Sequence, residues 1–139
     1  MELRRVFFYG SFMDMEFLRT KGVRPKTFEV ATLENWDIVL APLATLIPAE
    51  KNSVHGVFAE LSPAEADVLY SSEDMKPYRP VNVTVKTRSN KMISATTYVS
   101  KPVADSKPSP EYVKRIIAAA QTHKLPTSYI GKLKRYLEE

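Results

Sequence analysis

The amino-acid sequence predicts an α+β fold in which most strands are antiparallel. Apolar segments with the composition of strands recur through the first hundred residues, and helix signals interrupt them only twice. Two further helical segments gather at the end of the chain. Strands and helices therefore do not alternate regularly, and a doubly wound parallel sheet is not expected.

Six apolar segments are typical of strands, because they are short and rich in β-branched and aromatic residues. They lie at residues 3–9, at 27–40 with a break near Glu34-Asn35, and at 44–48, 54–61, 79–87 and 92–99. The last two are predicted to form a hairpin. Val81, Val83 and Val85 alternate with polar residues, and Ser89-Asn90 supplies the turn.

Four segments carry helix signals. A short helix is expected over residues 15–21, closed by Gly22, and a second after Ser62, where SPAE has the pattern of a capping box. Ser109 begins a third helix with Val113, Ile116, Ile117 and Ala120 on one face. The last helix starts near residue 128 and is expected to turn Ile130, Leu133 and Leu137 inward.

Composition and length predict one domain over residues 1–139. The chain is 44% hydrophobic and 26% charged, as globular proteins are, and no apolar stretch approaches the length of a membrane span. We recognise no signal peptide after Arg4 and Arg5, because the apolar segment that follows is short. The absence of cysteine excludes disulfides and thiolate chemistry and favours a reducing compartment, so a cytoplasmic location is expected.

The net charge of +4 raises the question of an anionic partner. Much of the excess lies in the last third of the chain, at Lys114, Arg115, Lys124, Lys132, Lys134 and Arg135. Aromatic residues do not interleave with these charges, so we interpret them as solvated helix faces and do not expect nucleic acid as a partner. An anionic small molecule would serve equally well, and the helix faces could also serve a homodimer.

The sequence does not support a metal site, a hydrolase nucleophile or a nucleotide-binding loop. His55 and His123 stand far apart without an acidic cluster, which argues against a metal site. The serines lack the context of a nucleophile elbow, and the lone Gly10 makes neither a dinucleotide fingerprint nor a phosphate-binding loop. Two segments remain as candidates, the turn Tyr9-Gly10-Ser11-Phe12 and residues 71–80.

In the turn, glycine allows close approach of the backbone or a positive φ, and successive amides can form a concavity for an anion such as a carboxylate. The same residues can simply end a strand and cap the next helix, and from the residues alone this simpler interpretation is favoured. In the second segment, Glu73 and Asp74 follow a helix, and Tyr78 offers a hydrogen bond nearby. Loop carboxylates are usually solvated, so Glu73 taken alone is a weak candidate for an acid or base.

The order of these features resembles the γ-glutamylcyclotransferase-like family, including its AIG2-like branch, over nearly the whole chain. The similar pieces are VFFYGSF at 6–12, Trp36 followed by ATLIP, VHGVF at 54–58, VLYSSEDMKPYRPVNVTV at 68–85, PSPEYVKRII at 108–117 and LPTSYIGKL at 125–133. The last two pieces are especially similar to the γ-glutamylcyclotransferase branch itself.

This resemblance implies a small mixed barrel-like sheet with flanking helices. It also implies cyclisation of a γ-glutamyl group to 5-oxoproline, with release of an amine or amino acid and without a metal or cofactor. By the same resemblance Glu73 matches the catalytic glutamate, and Tyr9, Gly10, Ser11 and Phe12 match the loop that cradles the γ-glutamyl group. Tyr78 is similar to a tyrosine that lines the pocket. The implied partner is a small γ-glutamyl amino acid, amine or related amide.

Two positions depart from the mammalian type of this family. Phe12 stands where that type has asparagine, and Asp74 stands where glycine often follows the key glutamate and brings a second negative charge beside Glu73. A solvated carboxylate is a weak base at neutral pH, so Glu73 is expected to be partly buried against apolar walls. The alternative is a binding module of the same fold that has lost turnover, or that binds an anionic partner.

Overall fold

A computed structural model describes residues 3–138, without the side chain of Asp74, and its five strands close into a barrel. The order around the barrel is β1-β3-β2-β4-β5, and every neighbouring pair is antiparallel except β1 and β5. These two run parallel and close the barrel where Val6 pairs with Thr96. The expected mixed, mostly antiparallel barrel-like sheet is confirmed. Its strands are β1 (Arg4–Phe8), β2 (Thr27–Leu40), β3 (Ala44–Leu61), β4 (Arg79–Thr87) and β5 (Met92–Val99).

Strand β3 corrects the prediction of two separate strands at residues 44–48 and 54–61. Both halves pair with β2, from Leu40 opposite Ala44 to Thr27 opposite Glu60, so they form one strand of 18 residues. The polar residues between the two apolar halves lie where the register shifts. A pattern typical of a turn therefore falls inside a strand.

The predicted break in β2 is a bulge rather than an end. The register shifts between Glu34 and Trp36, and Asn35 between them has a φ of 69°. Asparagine tolerates this left-handed conformation better than most residues, so the strand bends there and continues pairing.

The four predicted helices are present, as α1 (Met15–Thr20), α2 (Pro63–Tyr70), α3 (Pro110–Thr122) and α4 (Thr127–Lys134). Asp14 caps α1 by accepting hydrogen bonds from the amides of Glu16 and Phe17, and Gly22 with a φ of 77° follows its C-terminal end. Short 3₁₀ turns lie at Ser11–Met13, Glu73–Met75 and Arg135–Leu137. No helix between residues 3 and 138 combines the length and the apolar character that crossing a membrane requires.

Helices α3 and α4 bury the faces that their spacing predicts. Val113, Ile116 and Ala120 are fully buried, and so is Leu133. The inward placement of Leu137 is wrong, because this side chain is 36% exposed. Helix α4 ends at Lys134, and the tighter 3₁₀ turn that follows carries Leu137 away from the apolar face.

One of the basic residues assigned to a solvated face is engaged with the barrel. Lys132 on α4 forms an ion pair with Asp37 on β2. The side chains are only 35% and 20% exposed, so this pair joins the last helix to the sheet rather than offering a free charge to a partner.

Helix α2 begins with the predicted capping box. The Ser62 hydroxyl accepts the Glu65 amide at 3.1 Å, and the Glu65 carboxylate accepts the amides of Ser62 at 2.9 Å and Arg24 at 2.8 Å. Burial by itself would raise the pKa of Glu65, but the hydrogen bonds to Arg24 and Ser62 stabilise the carboxylate and lower the pKa.

We expect Glu65→Gln to reduce the free energy of unfolding by about 0.5 to 1 kcal/mol at neutral pH. Because the folded pKa lies below the unfolded value of 4.5, the carboxylate contributes fully above that value and loses its effect as pH falls through the folded pKa. Urea unfolding at neutral pH and at about pH 3 should therefore show a difference between wild type and variant that shrinks in acid. Glu111→Gln is the control, since Glu111 also lies in the first turn of a helix but makes no side-chain hydrogen bond within residues 3–138. An equal, pH-dependent loss in that variant would contradict the assignment.

Candidate functional site

A cavity of about 170 Å³ lies at the end of β1. The turn Tyr9-Gly10-Ser11-Phe12 forms one side of it, and the other sides come from α1, the start of β3, the end of α2 with the loop after it, β5 and α3. Tyr78, from the same loop after α2, also lines the cavity. The structure thus brings these five sequence-selected residues together at one cavity.

The turn presents two backbone amides that the fold leaves unused. A 3₁₀ turn starts at Ser11, and its bonds run from the Met13 amide to the Gly10 carbonyl and from the Asp14 amide to the Ser11 carbonyl. The amides of Ser11 and Phe12 precede these bonds, and within residues 3–138 they have no hydrogen-bond partner. Both residues line the cavity, so the turn can donate to an anionic or carbonyl oxygen there.

Gly10 is needed for close approach and not for a positive φ. Its φ is −119°, and a Cβ added here would lie 3.3 Å from the Cβ of Ala44 and 3.7 Å from the Tyr112 hydroxyl. The sequence allows two reasons for glycine here, close approach of the backbone or a positive φ. The structure supports close approach. The turn can lie directly against the start of β3 because position 10 has no side chain.

Tyrosine hydroxyls fix the backbone around the cavity. Tyr78 donates to the Ala44 carbonyl at 2.5 Å, the Tyr112 hydroxyl accepts the Ala44 amide at 2.9 Å, and Tyr9 donates to the Tyr98 carbonyl. Burial raises the pKa of the Tyr9 phenol well above its ordinary value, and the neighbouring Tyr78 adds to the effect. Tyr9 is therefore neutral throughout the physiological range and acts as a hydrogen-bond donor, not as a base.

Aromatic rings form one wall of the cavity. The Phe12 ring meets Tyr70 edge-on with centroids 5.8 Å apart and stacks on Phe17 at 6.1 Å. Tyr70 in turn stacks on Tyr98 with centroids 3.7 Å apart. We call Phe12, Phe17 and Tyr70 the aromatic wall.

Two cations reach the same wall from different helices. The Lys21 Nζ lies 5.0 Å and the Arg115 Cζ 5.4 Å from the centroid of the Phe17 ring, and both residues line the cavity. Sequence reasoning selected neither these cations nor Phe17, Tyr70 and Tyr98 as site residues. They come from separate elements and share no motif, although the position of Tyr70 at the end of α2, close to Glu73, was a usable signal.

Glu73 is the one sequence-selected residue that does not line the cavity. Its side chain is 85% exposed, and its carboxylate pairs with the Lys76 Nζ at 2.9 Å. The expected partial burial is therefore wrong in this structure. Side chains three residues apart share one side of a 3₁₀ turn, so Ser72 and Met75 face the cavity together, while Glu73 and Lys76 face solvent.

The described residues that line the cavity include no carboxylate or imidazole that could act as an acid or base at neutral pH. His55 is packed instead beside Thr32 and Tyr129, and His123 bonds to the Met13 carbonyl at 2.7 Å. The predicted effect of Asp74 on Glu73 involves a side chain outside the described part of the chain.

Comparisons with known proteins identify relatives of this chain. The family model of the AIG2-like family matches residues 53–133. A γ-glutamylcyclotransferase from Bos taurus is 26% identical, and the match covers 91% of this chain and 75% of the bovine protein.

Solved structures show the same fold. A γ-glutamyl cyclotransferase superposes with a TM-score of 0.82 at 24% identity, covering 96% of this chain and 87% of the other. An uncharacterized human protein superposes with a TM-score of 0.80 at 26% identity, covering 96% and 88%. Because the family model spans more than half of the residues and the barrel matches these structures, the chain belongs to the AIG2-like family and has the fold of the γ-glutamylcyclotransferases.

Proposed function

We propose that this protein is a γ-glutamyl cyclotransferase. It would convert the γ-glutamyl group of an amino acid, amine or related amide into 5-oxoproline and release the amine. The observation that supports this function is the cavity lined by the turn Tyr9-Gly10-Ser11-Phe12, with its two unpaired amides, and by Tyr78. Similarity to the bovine γ-glutamylcyclotransferase over most of both chains supports the same activity.

The reaction needs little beyond orientation and one proton shuttle. The α-amine of the γ-glutamyl group attacks its own γ-carbonyl carbon, a new C–N bond closes a five-membered ring, and the bond to the leaving nitrogen breaks. The attacking nitrogen loses a proton and the leaving nitrogen gains one, so a single carboxylate can carry it between them. Since the attack is intramolecular, folding the glutamyl chain into the reactive geometry supplies much of the acceleration.

The turn is suited to hold the reacting group. The amides of Ser11 and Phe12 are donors for the α-carboxylate or for the oxyanion that develops on the γ-carbonyl oxygen. The neutral Tyr9 phenol and its bond to the Tyr98 carbonyl keep the end of β1 in place beneath them. Donors fixed in this way need no reorganisation when negative charge develops.

The proposed mechanism requires the Glu73 side chain to turn from solvent toward the cavity when substrate binds. Its neighbours Ser72 and Met75 already line the cavity, and its partner Lys76 is an exposed cation. Exposed ion pairs contribute only about 0 to 1 kcal/mol, so separating Glu73 from Lys76 costs little. The substrate α-ammonium would replace Lys76 as the counter-ion and would place the carboxylate next to the proton that it removes.

Release of 5-oxoproline from a panel of γ-glutamyl amino acids, amines and amides tests this function. We expect at least one compound to yield 5-oxoproline and free amine in equal amounts, as measured by mass spectrometry. Free glutamate in place of 5-oxoproline would indicate hydrolysis and would contradict intramolecular cyclisation.

A binding module without turnover is the second candidate function, and the exposure of Glu73 is the observation in its favour. This candidate predicts that γ-glutamyl compounds bind to the cavity and remain intact. Isothermal titration calorimetry on the same panel separates the two cases, because an active enzyme consumes the compounds that bind.

A further inference from the structure

We infer that the rim of the cavity selects substrates whose leaving group is an α-amino acid with an aromatic or large apolar side chain. This inference rests on the proposed cyclotransferase function and specifies its substrate class. The aromatic wall would receive the side chain of the leaving group, and Lys21 and Arg115 would receive its free carboxylate.

The aromatic wall exceeds what a γ-glutamyl group requires. That group carries an ammonium, a carboxylate and an amide on a short aliphatic chain, so polar donors and acceptors recognise it. Phe12, Phe17 and Tyr70 instead present rings to the cavity, and each is partly exposed, although Phe12 and Tyr70 also pack beside the core. An apolar group placed against them removes ring surface from water, which is favourable in proportion to the area covered.

The wall is already assembled in the structure. Phe12 lies between Phe17 and Tyr70, and Tyr70 is held by stacking on Tyr98. Binding against rings that are already fixed loses less conformational freedom than binding that must order them. This favours a rigid, flat or bulky occupant over a small or strongly hydrated one.

The two cations add a charge requirement. Lys21 and Arg115 approach the Phe17 ring from the end of α1 and from α3, and neither forms an ion pair with any described carboxylate. Arg19 on α1 and Lys76 in the loop after α2, by contrast, do have carboxylate partners. Two cations without carboxylate partners therefore lie beside a cavity that no described carboxylate lines. Their positive charge attracts an anion to the rim of the cavity.

An α-amino acid leaving group satisfies both features at once, because its carboxylate and its side chain branch from the same carbon. A γ-glutamyl amine has no carboxylate to offer to Lys21 and Arg115. A γ-glutamyl derivative of glycine or alanine leaves the aromatic wall uncovered.

The test compares kcat/KM for three substrates: γ-glutamyl-phenylalanine, γ-glutamyl-alanine and γ-glutamyl-phenethylamine. We expect the phenylalanine compound to exceed the alanine compound about tenfold, from burial of the ring. We expect it to exceed the phenethylamine compound about three- to fivefold, as for an exposed ion pair. All three share the γ-glutamyl α-carboxylate, so the third compound isolates the carboxylate of the leaving group.

Variants assign each preference to its residues. Phe17→Ala should abolish the preference for phenylalanine over alanine, and Lys21→Met and Arg115→Met should each reduce the preference for the carboxylate. Arg19→Met is the matched control, since Arg19 lies on the same helix as Phe17 but outside the cavity lining, and it should leave both ratios unchanged. If Phe17→Ala does not fold, the two exposed cation variants still decide the outcome.

Equal kcat/KM values for the three compounds would overturn the inference while leaving the cyclotransferase function intact. If neither these three compounds nor any compound of the panel is turned over, the proposed function fails. In that case the relative affinities of the same three compounds, measured by calorimetry, confirm or contradict the selectivity of the rim independently.

Discussion

The Glu73→Gln variant is expected to lose about a hundredfold or more in kcat/KM for 5-oxoproline release, within the range typical of general acid–base groups. Glutamine has nearly the same shape and can still accept a hydrogen bond, but it cannot carry the proton from the attacking nitrogen to the leaving nitrogen. The fold should be unaffected, because the Glu73 side chain is 85% exposed and its ion pair with Lys76 lies at the surface. Initial rates with the best substrate of the panel, together with circular dichroism, measure both expectations.

Two neighbouring variants make this result specific. Asp74→Asn removes the adjacent carboxylate and should retain most of the activity. Lys76→Met removes the counter-ion that holds Glu73 in solvent, so it should leave turnover unchanged or raise it up to about fivefold, the value of an exposed ion pair. Full activity of Glu73→Gln would show that the proton shuttle is wrong. A loss in Asp74→Asn as large as that of Glu73→Gln would assign the shuttle to Asp74 instead.

The turn after β1 could be predicted from the sequence because its residues are contiguous. Tyr9 to Phe12 follow one another directly, and the turn that ends β1 leaves the amides of Ser11 and Phe12 without a partner among residues 3–138. Helix starts at Ser62 and Ser109 could also be predicted, because capping is a short-range pattern of side chain and backbone. Turns and helix caps of this kind depend only on residues that are close together in the sequence.

The remainder of the site depends on contacts that no short segment encodes. The aromatic wall joins Phe12, Phe17 and Tyr70 only because the barrel closes and brings α1 and α2 to one end. The direction of Glu73 depends on the phase of a 3₁₀ turn, and shifting that phase by one residue would exchange its position with that of Ser72. The motif predicts that a glutamate occupies position 73, but it does not predict whether the side chain faces the cavity or solvent.

The sequence did not predict that β3 is one continuous strand, and the reason is related. Local polarity at residues 49–53 is typical of a turn, yet the partner strand β2 pairs with both sides of this segment. Pairing over a long hairpin offsets the local preference, since each half of β3 is held by its own set of cross-strand contacts.

A glycine in β3 shows how closely β1 and β3 pack against each other beside the site. A Cβ added to Gly56 would lie 2.1 Å from the Phe8 carbonyl oxygen and 3.0 Å from the Cζ of Phe7. The first obstacle is backbone, so no side-chain rotation can relieve it. Phe8 is the last residue of β1, directly before the turn that begins at Tyr9.

We therefore expect Gly56→Ala to lower the free energy of unfolding by about 3 kcal/mol or more, because β1 and β3 must separate to admit the methyl group. Thermal unfolding followed by circular dichroism should show a Tm lower by about 10 °C or more for a domain of this size. Gly131→Ala is the control, since a Cβ at Gly131 would meet nothing within 4 Å and would raise the helix propensity of α4. That variant should be unchanged or more stable by up to about 1 kcal/mol. Equal Tm values for the two variants would contradict the close approach of β1 and β3, and with it the geometry that positions the turn at the cavity.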